Sequence, residues 1–91
     1  MPIKISIPTS MRRLTNNQAE VEAIGSTVEE LFNNLNKQYP GMKEQVYDEN
    51  RKLRRFINVY VNDEDIRFLD GDETVLKDGD IISIIPAIAG G

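Results

Sequence analysis

Only one stretch of this chain carries the period of a helix, and that limits the folds open to it. Val28, Leu31, Phe32, Leu35 and Tyr39 recur at i, i+3, i+4, i+7 and i+11, a single apolar stripe. Asn33, Asn34, Asn36 and Lys37 lie off it. Pro40-Gly41 ends the stripe, since proline cannot continue a helix. Ser26 or Thr27 caps the start, where a side-chain oxygen accepts from an orphan backbone N–H. Each has a glutamate three residues on, Glu29 or Glu30, completing a capping box at the positive end of the helix dipole. The stripe is expected to pack on a sheet rather than on a partner.

The rest of the legible pattern has a period of two. Ile3, Ile5 and Ile7 alternate with Lys4 and Ser6, and Pro8 limits that strand. Arg12 to Asn17 is polar and reads as a turn. Ala19, Val21 and Ala23 alternate with Glu20 and Glu22, a second strand expected in a hairpin with the first. After the helix, 42–55 is hard to read; one helical turn over 42–47 followed by a loop is expected. In Phe56 to Asn62, Ile57, Val59 and Val61 share one face, with the β-branched shape that suits a pleated surface. Phe56, Asn58, Tyr60 and Asn62 are placed on the other. Asn62 to Asp65 is expected to turn, Ile66 to Leu69 to return as a short strand, and Ile81 to Ile85 to form a last strand that is covered on both faces or paired on both sides.

These elements make an α+β, two-layer domain: a mixed sheet of about five strands crossed by one main helix. A parallel pair formed by the first and last strands is open to it, because a long crossover separates them. The domain is expected to span 1–86, with a flexible tail at 87–91.

The residue inventory removes most chemistry. There is no histidine and no cysteine. That excludes a zinc cluster, a Ser-His-Asp relay and a Cys-His pair. Neither GxGxxG nor GxxxxGK(S/T) occurs. The acids of "DGDETVLKDGD" invite a calcium loop, but counting from Asp70 the sixth position is Val75 and the twelfth Ile81, where an EF-hand needs glycine and glutamate. Two turns, Asp70-Gly71 and Asp78-Gly79, account for it better. No catalytic residue and no metal site is expected. A net charge of −4 argues against nucleic acid and suits a basic partner protein. No apolar run approaches the roughly 20 residues of a membrane span. The opening Met1-Pro2-Ile3-Lys4 does not read as a leader, so a cytoplasmic location is expected.

Two surface features could serve a partner. "RKLRR", Arg51 to Arg55, is the one basic cluster; it reads as a solvated loop or as a contact for an acidic partner, with Arg54 and Arg55 as candidates. Phe56 and Tyr60 read as docking residues or as cross-strand packing.

The span "VNDEDIRFLDG…TVLKDGDIISIIPAIAGG" resembles the MoaD/ThiS family of ubiquitin-like sulfur carriers. The resemblance covers essentially the whole chain, most densely 56–91. "SIPT", "RRFINVYVNDEDIRF" and "PAIAGG" are most similar to the cysteine-biosynthesis branch. It implies a β-grasp fold like that of ubiquitin, and a protein that is substrate rather than enzyme. It also implies that an activating enzyme of the ubiquitin-activating type, an adenylyltransferase and sulfurtransferase, uses ATP to adenylate the carboxylate of Gly91. Sulfur then replaces AMP and leaves a thiocarboxylate. Gly90, Ala89, Ile88 and Ala87 would thread the reacting carbonyl into the partner, with Ile88, the one bulky tail residue, anchoring it. Glycines suit a narrow channel because they lack Cβ. The acceptor it implies is a pyridoxal-phosphate-dependent cysteine synthase, with the molybdopterin synthase large subunit or a thiazole synthase as alternatives; no bound cofactor is expected. A protein modifier joined to lysines through Gly91, or a pure interaction module, are the competing readings.

Overall fold

The computed structural model describes residues 2–86. Five strands form one mixed sheet: β1 (Ile3–Ser6), β2 (Glu20–Ala23), β3 (Ile57–Val61), β4 (Glu64–Asp65) and β5 (Ile81–Pro86), in the order β2-β1-β5-β3-β4. β1 pairs β2 antiparallel and β5 parallel, so the two ends of the described chain meet at the centre of the sheet. β5 pairs β3 antiparallel on its other side. Helix α1 (Val28–Gln38) crosses one face, with the short α2 (Met42–Val46) beside it.

The stripe and the strand alternation point at each other. Val28, Leu31, Phe32 and Leu35 are buried, and so are Ile3, Ile5, Val21, Ala23, Ile57, Val59, Val61, Ile82 and Ile84 from the sheet. Tyr39 packs at the margin. Thr27 is the cap: the Glu30 N–H donates to Thr27 Oγ1 at 3.2 Å, and the Ser26 N–H donates to Glu30 Oε1 at 2.9 Å. The reciprocal bond therefore reaches one residue further back than the usual capping box. Gly25 is needed just before it, because a Cβ there would lie 2.6 Å from the Leu31 nitrogen.

Four local expectations are corrected. The polar segment after β1 is a 3-10 helix, Thr9–Leu14, which buries Met11; Thr15 is buried behind it, with Oγ1 3.0 Å from the Gln18 carbonyl oxygen. The turn after β3 is tighter than Asn62 to Asp65: only Asn62 and Asp63 turn, and Val61 pairs Glu64. Asn62 supplies the positive φ of 59° such a tight hairpin needs. The return strand is Glu64–Asp65, and Ile66–Phe68, read as part of it, is a 3-10 turn. The Asp65 side chain accepts from the Arg67 N–H at 2.8 Å, which favours that turn over continued pairing. Finally, Pro86 belongs to β5, paired opposite Ile57, rather than standing beyond the strand.

Candidate docking and transfer site

β5 brings the chain to the point where its last five residues begin. Position 86 is the last described one, so Ala87, Ile88, Ala89, Gly90 and Gly91 lie outside the described residues. What the structure does define is the surface at their root. Pro86 pairs Ile57, and Arg54, Arg55 and Phe56 immediately precede Ile57. Those three line one cleft of about 510 Å³ with Ser10, Met11, Gln45, Asp48 and Ile57. Phe56 is 54% exposed there. Its place is a turn before β3, so the strand alternation that put it on Tyr60's face does not reach it.

Arg54 is held: its Nε donates to the Glu44 carbonyl at 2.7 Å and its backbone N–H to the Val46 carbonyl at 2.9 Å. Arg55 is exposed and has no side-chain hydrogen bond or ion pair among the described residues. The basic cluster is not one patch, because Leu53 turns inward, packs against the core and bridges Tyr47. Asp48, in the same cleft, is half-exposed, and its carboxyl is held below the usual carboxylate range. It accepts from the Lys52 and Asn50 N–H groups, which favours the ionised form.

Tyr60 belongs to a second surface. It pairs Ser83 across β3 and β5, on the face opposite α1, and lines a cleft with Asp63, Glu64, Asp65 and Phe68. Sequence reading missed most of this face. Phe68 is 86% exposed, Ile85 47% and Ile81 44%. In β5, Ile82 and Ile84 point into the core while Ile81, Ser83 and Ile85 point out; the strand is central because it is paired on both sides, and α1 covers one face. The signal was there: isoleucine on both phases of one strand leaves apolar surface on the outer face. Phe68 gave no such signal, because its exposure depends on the 3-10 turn that replaces a strand.

Arg67 ties the two surfaces together. Its Nη1 donates to Asn58 Oδ1 at 2.6 Å and its Nη2 to the Ile57 carbonyl at 2.8 Å, with Asp65 Oδ2 at 3.6 Å. The start of β3, the strand that pairs with Pro86, is thus fixed by a charged, hydrogen-bonded fork. Among the described residues no group of three or more acids is placed to hold a metal ion, and no helix is long and apolar enough to cross a membrane.

A helix grasped by a five-stranded mixed sheet whose central strand ends beside a basic-aromatic cleft defines a ubiquitin-like β-grasp domain. The chain belongs to the ThiS family, which matches residues 5–91. It is 44% identical over 93 residues to the sulfur carrier protein CysO of Mycobacterium tuberculosis, covering 100% of both chains. A chain in the crystal structure of the Amycolatopsis orientalis BexX/CysO complex superposes with a TM-score of 0.92 at 48% identity, covering 98% of this chain and 99% of that one. The small archaeal modifier protein 1 of Methanosarcina acetivorans is further away, with a TM-score of 0.81, 31% identity, and coverage of 99% and 96%.

Proposed function

We propose that this chain carries sulfur as a thiocarboxylate on Gly91, formed after adenylation of its C-terminal carboxylate by a partner enzyme, and donates it in cysteine biosynthesis. One observation carries the reading: residues 5–91 match the ThiS family through to Gly90-Gly91, the fourth and fifth residues after the central strand. In the first step a carboxylate oxygen of Gly91 attacks the α-phosphorus of ATP and pyrophosphate leaves. In the second, a sulfur nucleophile attacks the acyl adenylate carbonyl, AMP leaves, and a C–S bond replaces the C–O bond. Catalytic groups and nucleotide come from the partner; this chain supplies a carboxylate at the end of a segment that reaches at most about 17 Å from Pro86. Arg54, Arg55 and Phe56 would hold the partner at the root of that segment. Tyr60 with Ile85 and Phe68 would offer an apolar face, since exposed apolar patches on a small domain mark interaction sites.

The acceptor is proposed to be a cysteine-forming enzyme because the 44% identical relative is named for that branch. A neighbour solved together with BexX supports transfer by docking to a second protein. The test is mass spectrometry of the chain after incubation with its activating enzyme, ATP and a sulfur donor. The thiocarboxylate adds about 16 Da, one oxygen replaced by sulfur. A chain lacking Gly90-Gly91 should support no ATP–pyrophosphate exchange; normal exchange by that chain would overturn the proposal. The likeness to an archaeal modifier protein favours one second reading, conjugation to lysines. Isopeptide-linked Gly91 on other proteins would mark it.

A further inference from the structure

Away from the docking surfaces, a recess of about 180 Å³ opens between α1, α2 and the 3-10 turn Gly71–Glu73, lined by Glu29, Lys43, Tyr47, Arg51 and Asp72. Sulfur transfer as proposed above uses none of these residues. Tyr47 forms the floor: it is buried, its ring meets Phe32 edge-on at 5.7 Å, and its hydroxyl donates to Asp72 Oδ1 at 2.5 Å. Two carboxylates and two cations therefore converge on one small space. None of the four pairs with another within ion-pair distance, since the one salt bridge among the described residues joins Arg67 and Asp65. The Lys43 ammonium instead bonds Asn33 Oδ1.

Arg51 gives an independent sign. Among the described residues four non-glycine ones have positive φ: Asn16, Asn17, Asn62 and Arg51, the last at 63°. Asparagine tolerates that conformation, whereas a long side chain does so at a cost and is retained mostly where the site needs it. The loop holds it there: the Arg51 N–H donates to the Asp48 carbonyl at 3.0 Å, the Asp48 N–H to the Lys52 carbonyl at 2.8 Å, and Tyr47 bridges Leu53. Glycine or asparagine would fit that backbone better, yet an arginine stands at the rim of the recess.

We propose that this recess binds a small zwitterion of the α-amino-acid class, its carboxylate toward Lys43 and Arg51 and its ammonium toward Glu29 and Asp72. The balance of charge selects it. An anion would meet two carboxylates and a cation two positive groups, whereas a molecule carrying both charges a few ångströms apart meets an opposite charge at each end. Size agrees, because drug-sized ligands occupy pockets from about 300 Å³ upward. The site is separate from the root of the tail and does not rest on the sulfur-transfer reading.

The test is an amide-shift titration of the ¹⁵N-labelled full chain with L-serine, repeated with ethanolamine and with propionate, which each carry one of the two charges. Saturable shifts should gather at Glu29, Lys43, Tyr47, Arg51 and Asp72, and serine should bind at least about tenfold tighter than either analogue. Arg51→Gly relieves the backbone and removes the guanidinium, so it should fold like the parent and bind serine at least about tenfold more weakly. Asp72→Asn should weaken serine similarly. Shifts that rise without saturating, equal binding of an analogue, or undiminished binding by Arg51→Gly would each overturn the proposal.

Discussion

Pro86 has no N–H to donate, so it can close a strand but cannot lengthen one. Its partner Ile57 sits next to Phe56 and Arg55, which puts an exposed ring and an exposed cation at the last described point of the chain. Arg55→Glu should therefore raise the KM for this chain in ATP–pyrophosphate exchange roughly several-fold, with kcat unchanged, and the effect should shrink at high salt, as rim charges do. An unchanged KM at low salt would remove Arg55 from the docking surface. Tyr47 carries a different prediction. Burial first, and then its bond to Asp72, push its phenol well above the ordinary tyrosine value. The folded state keeps the proton where the unfolded chain releases it, so the stabilisation is fully present below the unfolded value of about 10 and is lost as pH rises beyond it. Denaturation at a series of alkaline pH values should show parental stability falling above about pH 10 more steeply than that of Tyr47→Phe. Parallel curves would mean that the hydroxyl is not buried.

The elements divide by how local their causes are. Helix α1 was legible to its caps, because its stripe, its Thr27–Glu30 pair and Pro40-Gly41 all act within a few residues. Leu35→Ala removes a fully buried side chain from the middle of that stripe and should cost about 2–5 kcal/mol. A Tm lowered by less than about one degree would refute its place in the core, given several degrees per kcal/mol for a domain of this size. The segment between β1 and β2 was not legible. Arg12 and Arg13 made it look like a solvated turn, whereas it winds as a 3-10 helix to bury Met11. Ile66–Phe68 failed for a related reason: an Asp65 side chain bonded to the Arg67 N–H outcompeted ladder pairing, and period-two apolar spacing cannot reveal that.

At the scale of the molecule, the domain and the last five residues are expected to separate in their effects. Removing Gly90-Gly91 takes away the carboxylate proposed to react while leaving every described core residue in place. The shortened chain should melt within about 0.5 kcal/mol of the parent, as expected where no buried contact is lost, and yet fail to be activated. A larger loss of stability would show that the end of the chain packs on the domain. Under the proposed function the same division explains how a chain with no histidine and no cysteine would take part in group transfer, as the substrate and with its folded part as a handle.

The sequence by itself determined the kind of the main elements, the faces they bury and the α+β class, because alternation and helical period are written in neighbouring residues; the β-grasp order of strands came from the resemblance to a family, since strand pairing is set across the sheet and not by neighbours. It also placed Gly90-Gly91 at the end, which the family match through residue 91 makes meaningful. The tertiary structure decided which side chains share a surface. Arg54, Arg55 and Phe56 meet in one cleft, while Tyr60 lies on another face with Ile81, Ile85 and Phe68. Tyr47 reaches Asp72 across 25 positions of sequence, and Arg51, in a left-handed turn, lines the same recess. Such meetings depend on how strands and loops are set side by side in space, and local spacing carries no record of that.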